Sequence, residues 1–172
     1  MLNWKDIPQR TRDGNYAVDV PWSDLEDSIE RYNRYGLVMC PDFQRGHVWT
    51  MAQRVAYVES KLSGGVPVDI IRLNQSGWMT DFKGELVCVD GLQRLTTALM
   101  FLRDEIPVFG GHVRSQIAGG RMPNEITFRL QINNLPTRAA VLTWYLELNG
   151  AGTPHSPEEL ARVAALRQAE IA

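Results

Sequence analysis

The 172-residue sequence predicts a mixed α/β (α+β) fold, because short apolar or alternating runs with strand character are interspersed with segments of helical period. Four runs read as strands, "LVMC", "VPVDIIRL", "ELVCV" and "EITFRLQI". Five segments read as helices, most of them opened by a capping residue and closed by glycine. A hydrophobic content of 44% is enough to bury a proper core, and the chain has no low-complexity tract, repeat or long linker. A single globular domain spanning 1–172 is the expectation.

The elements follow in order. In "PWSDLEDSIERYNRYG", Ser23 and Glu26 have the spacing of a capping box, Leu25, Ile29 and Tyr32 share a face, and Gly36 suits the stop. "LVMC" is a strand ending at Pro41. The aromatic and polar loop "PDFQRGHVW" leads to a helix boxed by Thr50 and Gln53, with Val55, Val58 and Leu62 on one face and Gly64-Gly65 at its end. "VPVDIIRL", the hairpin-like connection "NQSGWMTDFKG" and "ELVCV" come next, and the last of these runs directly into "DGLQR". From Leu92 the pattern is helical through Leu95, Leu99 and Leu102, until Pro107 and Gly110-Gly111 break it. "EITFRLQI" alternates as a strand; Thr137 caps a helix ending at Gly150, and Ser156 with Pro157 at the first position opens the last helix.

Composition excludes several classes. No run of about eighteen apolar residues is present, and "MLNWKDIPQR" lacks the apolar centre of a signal peptide, so an intracellular, cytoplasmic protein with no membrane partner is expected. A net charge of -2 argues against coating nucleic acid by bulk electrostatics, which makes any such contact local. Cys40 and Cys88 lie in apolar runs without C-x-x-C spacing, and both are expected to be buried free thiols. Of the 18 basic residues only Lys5, Lys61 and Lys83 are lysine; arginine's planar fork grips phosphate at two points, although a GC-rich gene gives the same bias.

Three segments carry chemistry. In "VDGLQRLTT" a strand, a glycine turn and a helix start can hold an anion on backbone N–H groups, with Asp90 available for Mg²⁺ or a nucleophile and Arg94 for a phosphate. Asp90 and Gln93 also have N-cap and N3 spacing, so the same residues can simply cap the helix. "PDFQRGHVW" places a second Gln-Arg pair, Gln44-Arg45, between a strand and a capped helix, with His47 and Trp49 close behind. In "LNGAGTPHSPEEL" turn chemistry alone accounts for Asn149, Gly150 and Gly152. Walker-type phosphate loops, G-x-S-x-G, H-E-x-x-H and calcium-loop patterns are all missing, and His47, His112 and His155 are too dispersed for a metal set.

In order and spacing, "PDFQRGHVWT", "ESKLSGGVPVDII", "VDGLQRLTTALMFL" and "LNGAGTPHSPEELARV" resemble the ParB/sulfiredoxin-like superfamily. The similarity is to the branch of the GmrS-type subunit of modification-dependent restriction systems, over about residues 20–165. The resemblance implies a small mixed sheet or barrel-like core with surrounding helices, nucleoside triphosphate (ATP or GTP) as substrate, and Mg²⁺ as cofactor. It implies a setting in restriction-modification or phage DNA modification, with modified DNA and a partner protein as further partners. It carries family positions onto Gln44, Arg45, Asp90, Gly91, Gln93, Arg94 and Asn149, implying Asp90 as the Mg²⁺ ligand and the other six as nucleotide- or phosphate-binding residues. Leu92 stands where the family has a glutamine and can form no hydrogen bond, which points to a reaction other than the relatives' hydrolysis. The chain also stops before the H-N-H nuclease region of restriction members.

The expected activity is NTP hydrolysis, or phosphoryl transfer to a hydroxyl of a modified DNA base, as in a DNA kinase. Asp90, Arg94 and Arg45 are its catalytic residues, with Asp42, Glu158 and Glu159 as other candidate bases. The rival expectation is a non-catalytic module that stacks nucleobases on His47, Trp49 and Trp78. Convergence of Gln44, Arg45, Asp90 and Arg94 on one pocket separates the two.

Overall fold

In the computed structural model, residues 16–65, 69–78, 80–82, 84–119, 121–150 and 156–171 are described. Strand β1 (Tyr16–Pro21) passes through a 3₁₀ turn (Trp22–Asp24) into helix α1 (Leu25–Asn33), followed by the two-residue strand β2 (Leu37–Val38) and helix α2 (Met51–Leu62). Strands β3 (Asp69–Asn74) and β4 (Leu86–Asp90) precede helix α3 (Leu92–Leu102). A connection with a 3₁₀ turn at Arg114–Gln116 then reaches β5 (Thr127–Asn133), α4 (Arg138–Gly150) and α5 (Pro157–Ile171).

The five strands form one mixed sheet in the order β1-β5-β3-β4-β2. Pairs β1/β5 and β3/β4 are antiparallel, whereas β5/β3 and β4/β2 are parallel. The mixed sheet with helices around it is the architecture that the sequence resemblance implies, in its open rather than its barrel-like form. Strand β4 explains the packing. Its alternate residues point to opposite faces, so Leu86 and Cys88 join the larger core, which includes Trp22, Phe101 and Phe128. Val89 joins the smaller one, with Phe43, Val141, Leu142, Tyr145 and Val163. Burial on both faces is why "ELVCV" reads as a continuous apolar run rather than an alternation.

Several sequence expectations hold at residue level. Thr50 and Gln53 form a reciprocal capping box on α2, Thr137 Oγ1 accepts from Ala140 N at 3.2 Å, and Ser156 and Glu159 cap α5 reciprocally. Other expectations are corrected. The Ser23–Glu26 box does not form: α1 starts one residue later, with Asp24 at its N-cap making no side-chain cap, and Ser23 Oγ donates to Asp24 instead. Strand "LVMC" shrinks to Leu37–Val38 because only those residues pair with β4.

Cys40 is exposed, while Cys88 is buried as expected. Burial, aided by the nearby Asp90 charge, pushes the Cys88 thiol up to about 12. Thiol reagents should therefore label one cysteine per folded chain, Cys40, and two after unfolding; labelling of Cys88 in the native protein would contradict its placement. The same shift has a sign for stability. An unfolded thiol ionises near its ordinary value of 9.0, so this group's contribution is complete below that pH and declines above it until ionisation of the folded thiol near 12.

Candidate functional site

The cleft lies where β4 ends and α3 begins. One residue, Gly91, connects them, with a backbone φ of 104° that disfavours any side chain. A Cβ there would sit 2.5 Å from Ile71 Cδ1 and 3.3 Å from Ile71 Cα, because the turn is pressed against β3. This geometry replaces the expected cap. Gly91, not Asp90, is the N-cap of α3, and it offers no side-chain hydrogen bond. The first intrahelical bond is Leu95 N to Gly91 O at 2.9 Å, so the earlier N–H groups of the helix lack intrahelical partners.

Asp90 and Gln93 are used elsewhere. Asp90 Oδ2 accepts from Arg72 Nη1 at 2.9 Å and from Arg94 Nη2 at 3.0 Å. Arg72 reaches it because the two residues are cross-strand partners next to a register shift in β3. Arg94 also lies 3.9 Å from Asp69, which is buried and bound to Tyr57 and to Lys61, the latter at 3.6 Å. Burial first, and then the Asp69 carboxylate, raise the Tyr57 phenol, which stays a protonated donor. Arg94 is thereby held between two carboxylates on a preorganised base.

The two glutamines fasten the 41–50 loop to this junction. Gln44 Nε2 donates to Cys88 O at 3.1 Å and to Val89 O at 2.9 Å. Gln93 Nε2 donates to Gly46 O at 2.8 Å, and its Oε1 accepts from Val48 N and Trp49 N at 3.2 and 3.3 Å. The side-chain amides act as a staple, which is why both Gln-Arg pairs are needed to bring both arginines to one place. On this loop Arg45 is half-buried, and its guanidinium makes no ion pair or hydrogen bond with the described residues. Its backbone N–H approaches the Tyr145 hydroxyl.

The result is a cleft of about 410 Å³ whose walls include Gln44, Arg45, Asp90, Gly91, Gln93 and Arg94. Trp49 and Asn149 complete the polar and aromatic rim, and Leu92 lines the cleft while its side chain is packed into the larger core. Asn149 lies in the last turn of α4 rather than in a turn after it, and donates to Tyr145 O at 2.7 Å. Residues 151–155, with Gly152 and His155, lie outside the described residues. His47 is exposed on the loop and does not line the cleft. Trp49 packs its ring 5.2 Å from that of Tyr57.

The other candidate bases lie outside the cleft lining. Asp42 is held by Arg138 at 2.7 Å, a hydrogen bond that lowers its carboxyl below the usual range. Glu159 caps Ser156, and Glu158 is held low by backbone and Ser156 hydrogen bonds at the start of α5. The sequence reading missed Arg72, Asp69 and Tyr57. The available signal was a charged residue, Arg72, inside the apolar strand run "DIIRLN", where a partner on the next strand is required.

The residues fit no protein-built metal cage. No group of three or more His, Cys, Asp or Glu side chains with metal-ligand geometry occurs among the described residues, and the one carboxylate in the cleft has Oδ2 committed to two arginines.

The family profile described as the GmrSD restriction endonuclease N-terminal domain matches residues 25–147, a span containing every cleft residue named above except Asn149. The chain belongs to this family. Neither curated proteins nor solved structures gave a match. Membership in the GmrSD N-terminal domain family associates the chain with restriction and modification systems. No helix among the described residues is long and apolar enough to cross a membrane.

Proposed function

We propose that the cleft binds the phosphates of a nucleoside triphosphate and that the chain carries out phosphate chemistry, as an NTPase or as a phosphotransferase acting on a hydroxyl of a modified DNA base. The observation that carries this reading is Arg45. Its guanidinium is half-buried and makes no ion pair or hydrogen bond with the described residues, and it lines the same cleft as Arg94 and an uncapped helix N-terminus. All three features attract the same kind of ligand, a multiply charged anion.

In this reading the α3 N–H groups hold the phosphate chain, while Arg45 and Arg94 face the oxygens on which charge accumulates as the γ-phosphoryl moves. The β–γ bridging P–O bond breaks, a new P–O bond forms to the acceptor oxygen, and a nucleoside diphosphate leaves. The acceptor's proton passes to Asp90 Oδ1, the oxygen not held by arginine, or to water. Asp90 would be the protein ligand of an Mg²⁺ carried by the nucleotide, which would supply neutralisation of the phosphate charge.

Leu92 supports transfer over the relatives' hydrolysis. Its side chain is buried and apolar at the cleft wall, so it cannot orient a water. The test is incubation with Mg²⁺ and each γ-labelled triphosphate, alone, with unmodified DNA and with hydroxymethylated DNA. Label on hydroxymethylated DNA identifies a kinase and free phosphate an NTPase; Asp90→Ala abolishes whichever appears. No reaction in any arm, or a fully active Asp90→Ala, would sink the reading.

A further inference from the structure

The far end of the sheet carries a second pocket. Strand β3 runs away from the cleft and β4 returns to it, so their connection, with Trp78 and Phe82, lies at the opposite end from Asp90. The pocket there measures about 310 Å³, and its walls include Tyr16, Arg31, Tyr32, Tyr35, Trp78 and Phe82. Trp78 is the hub, with ring centroids 5.3 Å from Phe82, 5.6 Å from Tyr16, 6.1 Å from Tyr35 and 6.4 Å from Tyr32.

Packing in the larger core explains Tyr32, which is buried, but not the outer rings. Tyr16, Tyr35 and Phe82 are 39%, 44% and 50% exposed. Phe82 also has a backbone φ of 50°, a conformation that a bulky side chain adopts at a cost. Its ring gains little burial in return and instead stacks on Tyr35 at 5.8 Å, with the planes 17° apart. The rings are set in place without a ligand: buried Gln75 donates to Tyr35 O at 3.4 Å and to Gly84 O at 3.0 Å, tying the two sides of the pocket together.

Charge selects among the ligands that aromatic walls accept. Among the described residues, Arg31 is the one charged residue lining the pocket, and no carboxylate lines it. A cationic ligand would meet a like charge, whereas a flat π-system with an adjoining anion meets both of its complements. We propose that this pocket receives an unpaired nucleobase of a single-stranded nucleic acid, stacked against the Trp78, Tyr35 and Phe82 rings, with the neighbouring phosphate on Arg31. A paired base is excluded because both of its faces are already stacked inside the duplex. The site is separate from the cleft and does not rest on its chemistry.

The test is fluorescence anisotropy with a labelled single-stranded oligodeoxynucleotide, the matching duplex and an unlabelled mononucleotide competitor. The native protein binds the single strand at least about 10-fold more tightly than duplex, and Phe82→Ala lowers that affinity about 10-fold. Phe82→Trp retains binding, and Arg31→Gln reduces the salt slope by about one phosphate contact. Triphosphate turnover, measured in parallel, is the same in Phe82→Ala as in the native chain, so loss of turnover bears on the cleft and not on this site. The proposal is overturned if the strand does not bind, if Phe82→Ala and Arg31→Gln bind it as the native protein does, or if duplex binds as tightly. Competition by the mononucleotide as effective as by the strand also overturns it, as does capture of a proline-rich peptide in place of the oligonucleotide.

Discussion

Arg45→Ala is expected to lower kcat/KM for triphosphate turnover by about 100- to 1,000-fold, the range typical of removing one preorganised charge from a phosphoryl-transfer site. The same change is expected to leave folding stability within about 0.5 kcal/mol of the native value, because the guanidinium makes no ion pair or hydrogen bond with the described residues. The pairing of the two outcomes is what makes the variant informative. Arg94→Ala is less clean, since it also releases Asp90 and Asp69 from a shared partner. Arg45→Lys should recover part of the activity by restoring charge without the two-point grip. Steady-state kinetics and thermal unfolding check the prediction together, and a large fall in stability with little change in turnover would contradict it.

Gly91→Ala is expected to have the largest effect on stability. The added methyl meets the fully buried Ile71 at both its Cδ1 and its backbone Cα, while φ at 104° penalises any Cβ. Strain and overpacking each cost about 1–3 kcal/mol, so a loss of roughly 2–6 kcal/mol is expected. Gly36→Ala is the control: its φ of 73° carries the backbone cost, but nothing lies within 4 Å of the new methyl. Its loss should be about 1 kcal/mol. Chemical denaturation of both variants tests this, and equal losses would show that contact with β3 does not determine the need for glycine at 91.

The cleft was largely legible in the sequence because its residues come in short local motifs. Gln44-Arg45, Asp90 to Arg94 and Asn149 fall in segments whose residue types are costly to place without use, and the fold brings those segments to one cleft. The parts that were not legible are non-local. That Arg72 faces Asp90 depends on strand register and on an irregularity beside Arg72, neither of which is encoded near either residue. Asp90 and Gln93 have the spacing of a capping box, yet the left-handed turn at Gly91 starts the helix one residue later and frees both side chains. The glutamines were expected at the phosphates, and the structure commits their amides to fastening the loop.

Elsewhere the misses have similar causes. Strand β1 alternates, but it is an edge strand with mostly exposed or half-buried residues, so its apolar signal is weak. Cys40 follows an apolar run that pairs for only two residues before the chain turns outward, which leaves the thiol exposed. The exposed ring at Phe82 is visible only once its backbone conformation and its stacking partner are known.

The central claim is that the cleft at the start of α3 is a triphosphate site organised by Arg45 and Arg94. Its most direct test is a crystal structure of the chain with a slowly hydrolysed triphosphate analogue and Mg²⁺. The expected result places the terminal phosphates within hydrogen-bonding distance of the Arg45 and Arg94 guanidinium groups and of the first N–H groups of α3. An analogue bound elsewhere on the chain, with this cleft empty, would contradict it.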